Sequence, residues 1–141
     1  MSVSAALGFR WDGAQARLFA RTCKGSFNTP SLIGFLKRLR RFVGRKPVIL
    51  IWDRLPAHRS RAMSQFIAEQ SHWLQIEWLP PYAPDLNPTE GVWNNIKGRE
   101  MANFCPDQLE EAAQRVRSGL RRLSHTRHLP FSLLRHAGLS F

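Results

Sequence analysis

The stretch LPPYAPDLNPTEGVWNNIK, Leu79 to Lys97, decides how this chain is to be read. Pro80, Pro81 and Pro84 each fix φ and disfavour the α region in the residue before them, so no helix can run through the first half. Asn87 is then a good N-cap, Pro88 suits the first helical position, and Glu90 falls three residues after the cap. A helix starts here, with Val92, Trp93 and Ile96 on one face. Glu90 has two readings. It can close a capping box by reaching back to the Asn87 amide, or it can be a carboxylate presented at a helix mouth for chemistry.

Working outward, the run PVILIWD, Pro47 to Asp53, is uninterruptedly apolar until its last residue. Such a run reads as a strand buried on both faces of an α/β sheet, with Asp53 just beyond its carboxyl end, where function gathers in sheets of this kind. Upstream, Ser2 to Phe9 and Ala16 to Thr22 read as a hairpin turned through Trp11-Asp12-Gly13. Asp12 is the sole acid before Asp53, and turn chemistry accounts for it. Leu32, Phe35, Leu36, Leu39, Phe42 and Val43 recur at helical spacing with Lys37, Arg38, Arg40 and Arg41 on the other face. Ala62, Met63, Phe66 and Ile67 suggest a shorter helix, and Leu74, Ile76 and Trp78 alternate with Gln75 and Glu77 as in a half-buried strand. Pro106 opens a further helix whose stripe is Leu109, Ala112, Ala113, Val116, Leu120 and Leu123, and Pro130 marks a break. No repeat or linker divides the chain.

The 141 residues suffice for one sizeable core, and no apolar stretch approaches the roughly 20 residues that cross a bilayer. The N-terminus lacks a signal-peptide pattern, so a cytoplasmic protein without a membrane partner is expected. Cys23 and Cys105 have no metal-ligand spacing and read as free thiols. The formal net charge of +11 is unevenly laid out. Between Asp12 and Asp53 there are nine Lys and Arg and no acid, and Arg115, Arg117, Arg121, Arg122, Arg127 and Arg135 follow Glu111 uncompensated. A solvated helix face is the plain explanation of such runs; a polyanionic partner explains the excess better, because Lys and Arg contacts to phosphates release counterions.

Together, IWDRLPAH (Ile51 to His58) and LPPYAPDLNPTEGVWNNIK resemble the second and third catalytic blocks of the mariner superfamily of transposases, in its bacterial insertion-sequence branch. The resemblance covers about residues 1 to 105. It implies a ribonuclease-H-like α/β fold, a mixed sheet with flanking helices, and an Asp-Asp-Glu triad that holds two divalent metals. Asp53 matches the second aspartate and Glu90 the glutamate, 37 positions later. The first aspartate of the family lies on the first strand, upstream of the hairpin. This chain is therefore expected to be a single partial catalytic domain, 1–141, lacking its first strand and its first catalytic acid.

What the resemblance implies chemically is metal-dependent DNA cleavage and strand transfer, with Asp53 and Glu90 as catalytic ligands of Mg²⁺ or Mn²⁺. Arg38, Arg40 and Arg41, together with Lys97 on the Glu90 side of its helix, are the expected nucleic-acid contacts. The implied partners are transposon ends and target DNA, an upstream-encoded transposase half, and further copies of the chain when active. His58 matches a histidine of the family block and is either a local hydrogen-bonding and packing residue or a ligand. Asp85 is either a turn acid or a ligand. Three functional readings stay open: a catalytic-domain fragment inactive without its upstream part, a degenerate remnant, and a non-enzymatic DNA-binding protein that keeps the fold.

Overall fold

The computed structural model describes residues 1–10, 12–105 and 108–139. In chain order these form β1 (Ser2–Phe9), β2 (Ala16–Cys23), α1 (Thr29–Val43), β3 (Val48–Trp52), α2 (Arg61–Glu69), β4 (Leu74–Trp78), α3 (Pro88–Arg99), α4 (Leu109–His125) and α5 (His128–His136), with short 3₁₀ turns at Pro56–Arg59 and Pro84–Leu86. Backbone contacts group them into two compact units, 1–25 with 84–141, and 26–83.

The first unit is a hairpin backed by helices. β1 and β2 pair antiparallel from Ser2↔Cys23 to Phe9↔Ala16. The turn between them works as its Asp-Gly pair predicts: Gly13 takes φ 68 and donates to the Arg10 carbonyl at 2.9 Å, while Asp12 accepts the Ala14 amide at 3.1 Å and pairs with Arg10 at 2.6 Å. Trp11, the third residue assigned to that turn, lies outside the described residues. Alternation puts Val3, Ala5, Leu7, Leu18 and Ala20 on one face, against a core of Val92, Ile96, Leu120 and Leu123. The stripe expected for α4 is buried at Ala113, Leu120 and Leu123, whereas Leu109, in its first turn, is exposed. Pro106 lies outside the described residues. Pro130 does not break the chain; it sits buried inside the first turn of α5, where its missing N–H would have had no intrahelical partner.

One polar clamp joins α4 to the end of α3 in this unit. Arg122 donates through Nε to Glu100 Oε1 at 2.7 Å and through Nη2 to Glu100 Oε2 at 3.1 Å and Asn95 Oδ1 at 2.6 Å. Gly119 permits the approach, since a Cβ there would stand 2.9 Å from the Glu100 carboxylate and 3.1 Å from Ile96.

The second unit holds β3 and β4, paired in parallel from Val48↔Leu74 to Trp52↔Trp78 and connected through α2. Leu32, Phe35, Leu36 and Leu39 of α1 are buried, as are Met63 and Phe66 of α2 and the Trp73-Leu74 pair at the entry to β4. Asn28 starts α1 with a complete capping box: its side chain accepts the Ser31 amide at 3.0 Å, and the Ser31 hydroxyl accepts the Asn28 amide at 2.8 Å.

Two expectations are corrected here. β3 is not buried on both faces: Val48, Leu50 and Trp52 are half-buried, but Ile49 and Ile51 are 66% and 53% exposed. An apolar run says that no position demands water, and it does not say that both faces are covered. The one mixed sheet expected is divided: the strands of Ile51 and Ile76 share a sheet, and the hairpin forms another. The described strands form two two-stranded sheets, because the ladder of β3 is completed on one edge only, by β4.

The clamp generates a stability test. Glu100 is 14% exposed at its side chain and Arg122 28%, so removing the guanidinium strands a carboxylate with little access to water. Arg122→Ala is expected to cost about 2–3 kcal/mol in urea unfolding, less than the roughly 3–5 kcal/mol of a fully buried ion pair because this one is partly solvated.

Candidate active-site carboxylates

Asp53 is held at the carboxyl end of β3 by the strand pairing itself. The ladder continues one step past β4, with the Leu79 amide donating to the Trp52 carbonyl at 2.8 Å, and Arg54 Nε returns to the Leu79 carbonyl at 3.0 Å. Between these two ties stands Asp53. Its Oδ1 accepts the Leu55 amide at 3.2 Å and lies 2.6 Å from His58 Nδ1. No partner of Oδ2 is found among the described residues, and the side chain is 41% exposed.

His58 is the one buried polar side chain of this region, 6% exposed on the 3₁₀ turn Pro56–Arg59. Its ring stacks on Trp52 with centroids 3.9 Å apart and an interplanar angle of 22°, and Trp52 in turn lies parallel to Trp78 at 6.3 Å. The sequence left His58 open between packing and ligation. The structure makes it a hydrogen-bonding neighbour of Asp53, while the platform supplied by Trp52 gave no signal beyond an aromatic in an apolar run.

Glu90 stands in the first turn of α3, exposed. The capping-box reading of it fails. The Asn87 amide donates instead to the Pro84 carbonyl at 2.9 Å, and Asn87 Oδ1 accepts the amide and hydroxyl of Thr89 at 3.2 and 2.7 Å. The cap is therefore complete without the glutamate. No hydrogen bond or ion pair of the Glu90 side chain is found among the described residues. Asn94 and Lys97, one and two turns on, are exposed like Glu90, while Val92 and Ile96 are buried at 0% and 3%. Asp85 lies exposed in the turn Pro84–Leu86. No group of three or more His, Cys, Asp and Glu close enough to hold a metal occurs among the described residues.

The expected nucleic-acid contacts divide. Arg38, Arg41 and Lys97 are exposed. Arg40 is half-buried, its guanidinium 4.8 Å from the Trp73 ring centroid and donating to the Lys46 carbonyl at 2.9 Å. It has structural work that its place in a basic run did not reveal. Among the described residues no helix is long and apolar enough to cross a membrane.

Residues 9–110 match the family model described as DDE superfamily endonuclease, and the chain belongs to that family. Among solved structures it is similar to the catalytic domain of Mos1 mariner transposase, with a TM-score of 0.56 and 16% identity over 99% of this chain and 83% of that one. Two further structures of the Mos1 catalytic domain, with raltegravir and Mg or Mn, match with TM-scores of 0.54 at 16% identity, over 99% of this chain and 83% or 82% of theirs. No curated protein sequence matches. The fold is thus the ribonuclease-H-like α/β fold of a DDE transposase catalytic domain, as the two sequence blocks imply.

Because the cap does not use Glu90, its removal is expected to leave stability nearly untouched. Glu90→Gln should shift unfolding by no more than about 0.5 kcal/mol, the range of surface substitutions. Asn87→Ala should cost about 1 kcal/mol, the usual loss of an N-cap. A thermal or urea unfolding comparison of the two variants checks this. Equal losses would restore Glu90 to the cap.

Proposed function

We propose that the chain is a catalytic-domain portion of a mariner-type transposase, 1–141 forming a single partial domain, which cleaves DNA and transfers strands when an upstream part supplies the first acid. Asp53 and Glu90 are the metal-ligating carboxylates of this reading, and Mg²⁺ or Mn²⁺ is the ion. The observation that carries it is the state of Glu90: an exposed carboxylate behind a rigid turn, on a helix whose cap is already satisfied by Asn87 and Thr89. A side chain without a structural task, at a position matching the family's glutamate, is best explained by chemistry.

The donor chemistry fits the ion. Asp53 keeps Oδ2 uncommitted while Oδ1 is occupied, and Glu90 offers a whole carboxylate, so each brings the hard oxygen that Mg²⁺ and Mn²⁺ prefer. Bound divalent ions would supply Lewis-acid activation of a water or 3′-hydroxyl and stabilisation of the leaving oxygen. The chain's own residues do the rest. Asp53 and Glu90 present oxygen donors from the end of a strand and the mouth of a helix, and the Asn87 cap and Val92-Ile96 packing fix the helix that carries Glu90. Arg38, Arg41 and Lys97 draw in the phosphate backbone, with Arg40 contributing charge from its place on Trp73. The exposed Arg38, Arg41 and Lys97 need no metal to meet phosphates, which supports a second reading, a non-catalytic DNA-binding remnant. The two readings part on cleavage.

The purified chain is expected to bind duplex DNA without sequence preference, with affinity falling steeply as salt rises. Arg38→Glu with Arg41→Glu should weaken binding about tenfold or more at low salt, alike across sequences, because phosphate contacts position without specifying. Lys97→Ala should lower the salt slope by about 1. Fluorescence anisotropy over a salt series measures all three; binding indifferent to salt would contradict the reading.

A chain extended upstream to include the aspartate-bearing strand is expected to nick supercoiled DNA with Mg²⁺ or Mn²⁺. Asp53→Asn or Glu90→Gln in that chain should abolish nicking and leave DNA binding intact. Nicking that survives Glu90→Gln would reject the assignment, and no nicking by the extended chain would leave the remnant reading in its place.

A further inference from the structure

The contact between His58 and Asp53 is more specific than packing requires. A carboxylate accepts and does not donate, so the 2.6 Å approach of Nδ1 to Oδ1 means that Nδ1 carries the hydrogen whatever the charge on the ring. The same Nδ1 lies 3.2 Å from the Asp53 backbone carbonyl, so ring and aspartate are matched at two points. The ring cannot swing away. One face is stacked on Trp52 at 3.9 Å, and the turn that carries it is closed by the His58 amide on the Leu55 carbonyl at 2.9 Å. That turn is itself fastened to the start of α1. The Thr29 hydroxyl reaches the Ala57 carbonyl at 3.5 Å and Ser60 Oγ at 3.0 Å.

An aspartate side chain at a strand end ordinarily rotates about two bonds, and ordering it on metal binding costs free energy. Here Oδ1 is occupied twice, by Leu55 N–H and by His58 Nδ1–H, which fixes the carboxylate plane and leaves Oδ2 as the uncommitted oxygen. We propose that His58 is a positioning residue for Asp53: its Nδ1–H, braced by Trp52, turns the carboxylate so that Oδ2 alone is presented to a divalent cation. This rests on the reading of Asp53 as a metal ligand. Hydrogen-bonded neighbours of ligating carboxylates typically change metal affinity by about 10–100-fold when removed.

The test is Mn²⁺ binding to the chain as it stands, followed by the electron paramagnetic resonance of free Mn²⁺ over a millimolar titration, with Asp53→Asn defining the part that depends on Asp53. Asparagine can place its amide nitrogen where Nδ1 sits, whereas glutamine reaches to the place of Nε2. His58→Ala and His58→Gln are therefore expected to weaken the Asp53-dependent binding about tenfold or more, and His58→Asn to stay within about threefold of the unsubstituted chain. Circular dichroism reports whether each variant is folded. Should His58→Ala fail to fold, the asparagine and glutamine variants decide between them. Asparagine and glutamine variants that bind alike, whether both tightly or both weakly, overturn the proposal, as does an alanine variant that binds like the unsubstituted chain. If no Mn²⁺ binds the chain as it stands, the upstream-extended chain is titrated and judged by the same criteria; if Asp53→Asn itself leaves binding unchanged, the reading of Asp53 as a ligand falls first and the positioning role with it.

Discussion

Proline geometry governs the segment that carries Glu90. Pro80, Pro81 and Pro84 exclude helix from the residues before them, and Pro88 suits the first turn, so α3 begins where Asn87 can cap it. Once the start is fixed, so is the phase. Val92 and Ile96 turn inward to meet Leu18, Leu120 and Leu123, and Glu90, Asn94 and Lys97 turn outward. A shift of the cap by one residue would rotate the helix by about 100° and carry the carboxylate off its face. The backbone of this segment is not relaxed. Tyr82 takes φ 57, a left-handed conformation uncommon for an aromatic residue, while its ring is fully exposed and gains no packing for it.

Asp53 and Glu90 are set in place by different means. Asp53 is fixed by a strand end, with the ladder closing through Leu79 on one side of it and His58 and Leu55 holding its Oδ1 on the other. Glu90 is fixed only through its backbone. The first arrangement orients a side chain, and the second orients a helix and leaves the side chain to find its partner.

Much of this was legible because it is local. The hairpin, its Asp-Gly turn, the basic amphipathic α1, the strand ending at Asp53 and the cap at Asn87 all follow from neighbours within a few residues, and they stand where the sequence puts them. The two blocks around Asp53 and Glu90 carried the family. What escaped depends on partners distant in sequence. The exposure of Ile49 and Ile51 turns on what covers the second face of β3, and a uniformly apolar run has no phase from which to read it. The division into two small sheets turns on pairing between strands far apart in the chain. Arg40 and Arg122 sat in basic runs and were counted as charge; Trp73 and Glu100, 33 and 22 positions away, give them other work. Glu90 matched a capping box perfectly in spacing, and lost that role to a carbonyl contributed by Pro84.

The independence of the α3 cap from Glu90 bears on how such a protein decays once selection on it lapses. Loss of Asp53 would leave the buried His58 without its nearest acceptor, so folding itself resists that change to some extent. Loss of Glu90 disturbs nothing that holds the helix. In a lineage kept only for its fold or its charge, the glutamate would drift away silently and early, long before the aspartate. The two positions therefore resist substitution unequally, Asp53 through the buried ring that leans on it and Glu90 through nothing in the fold that carries it.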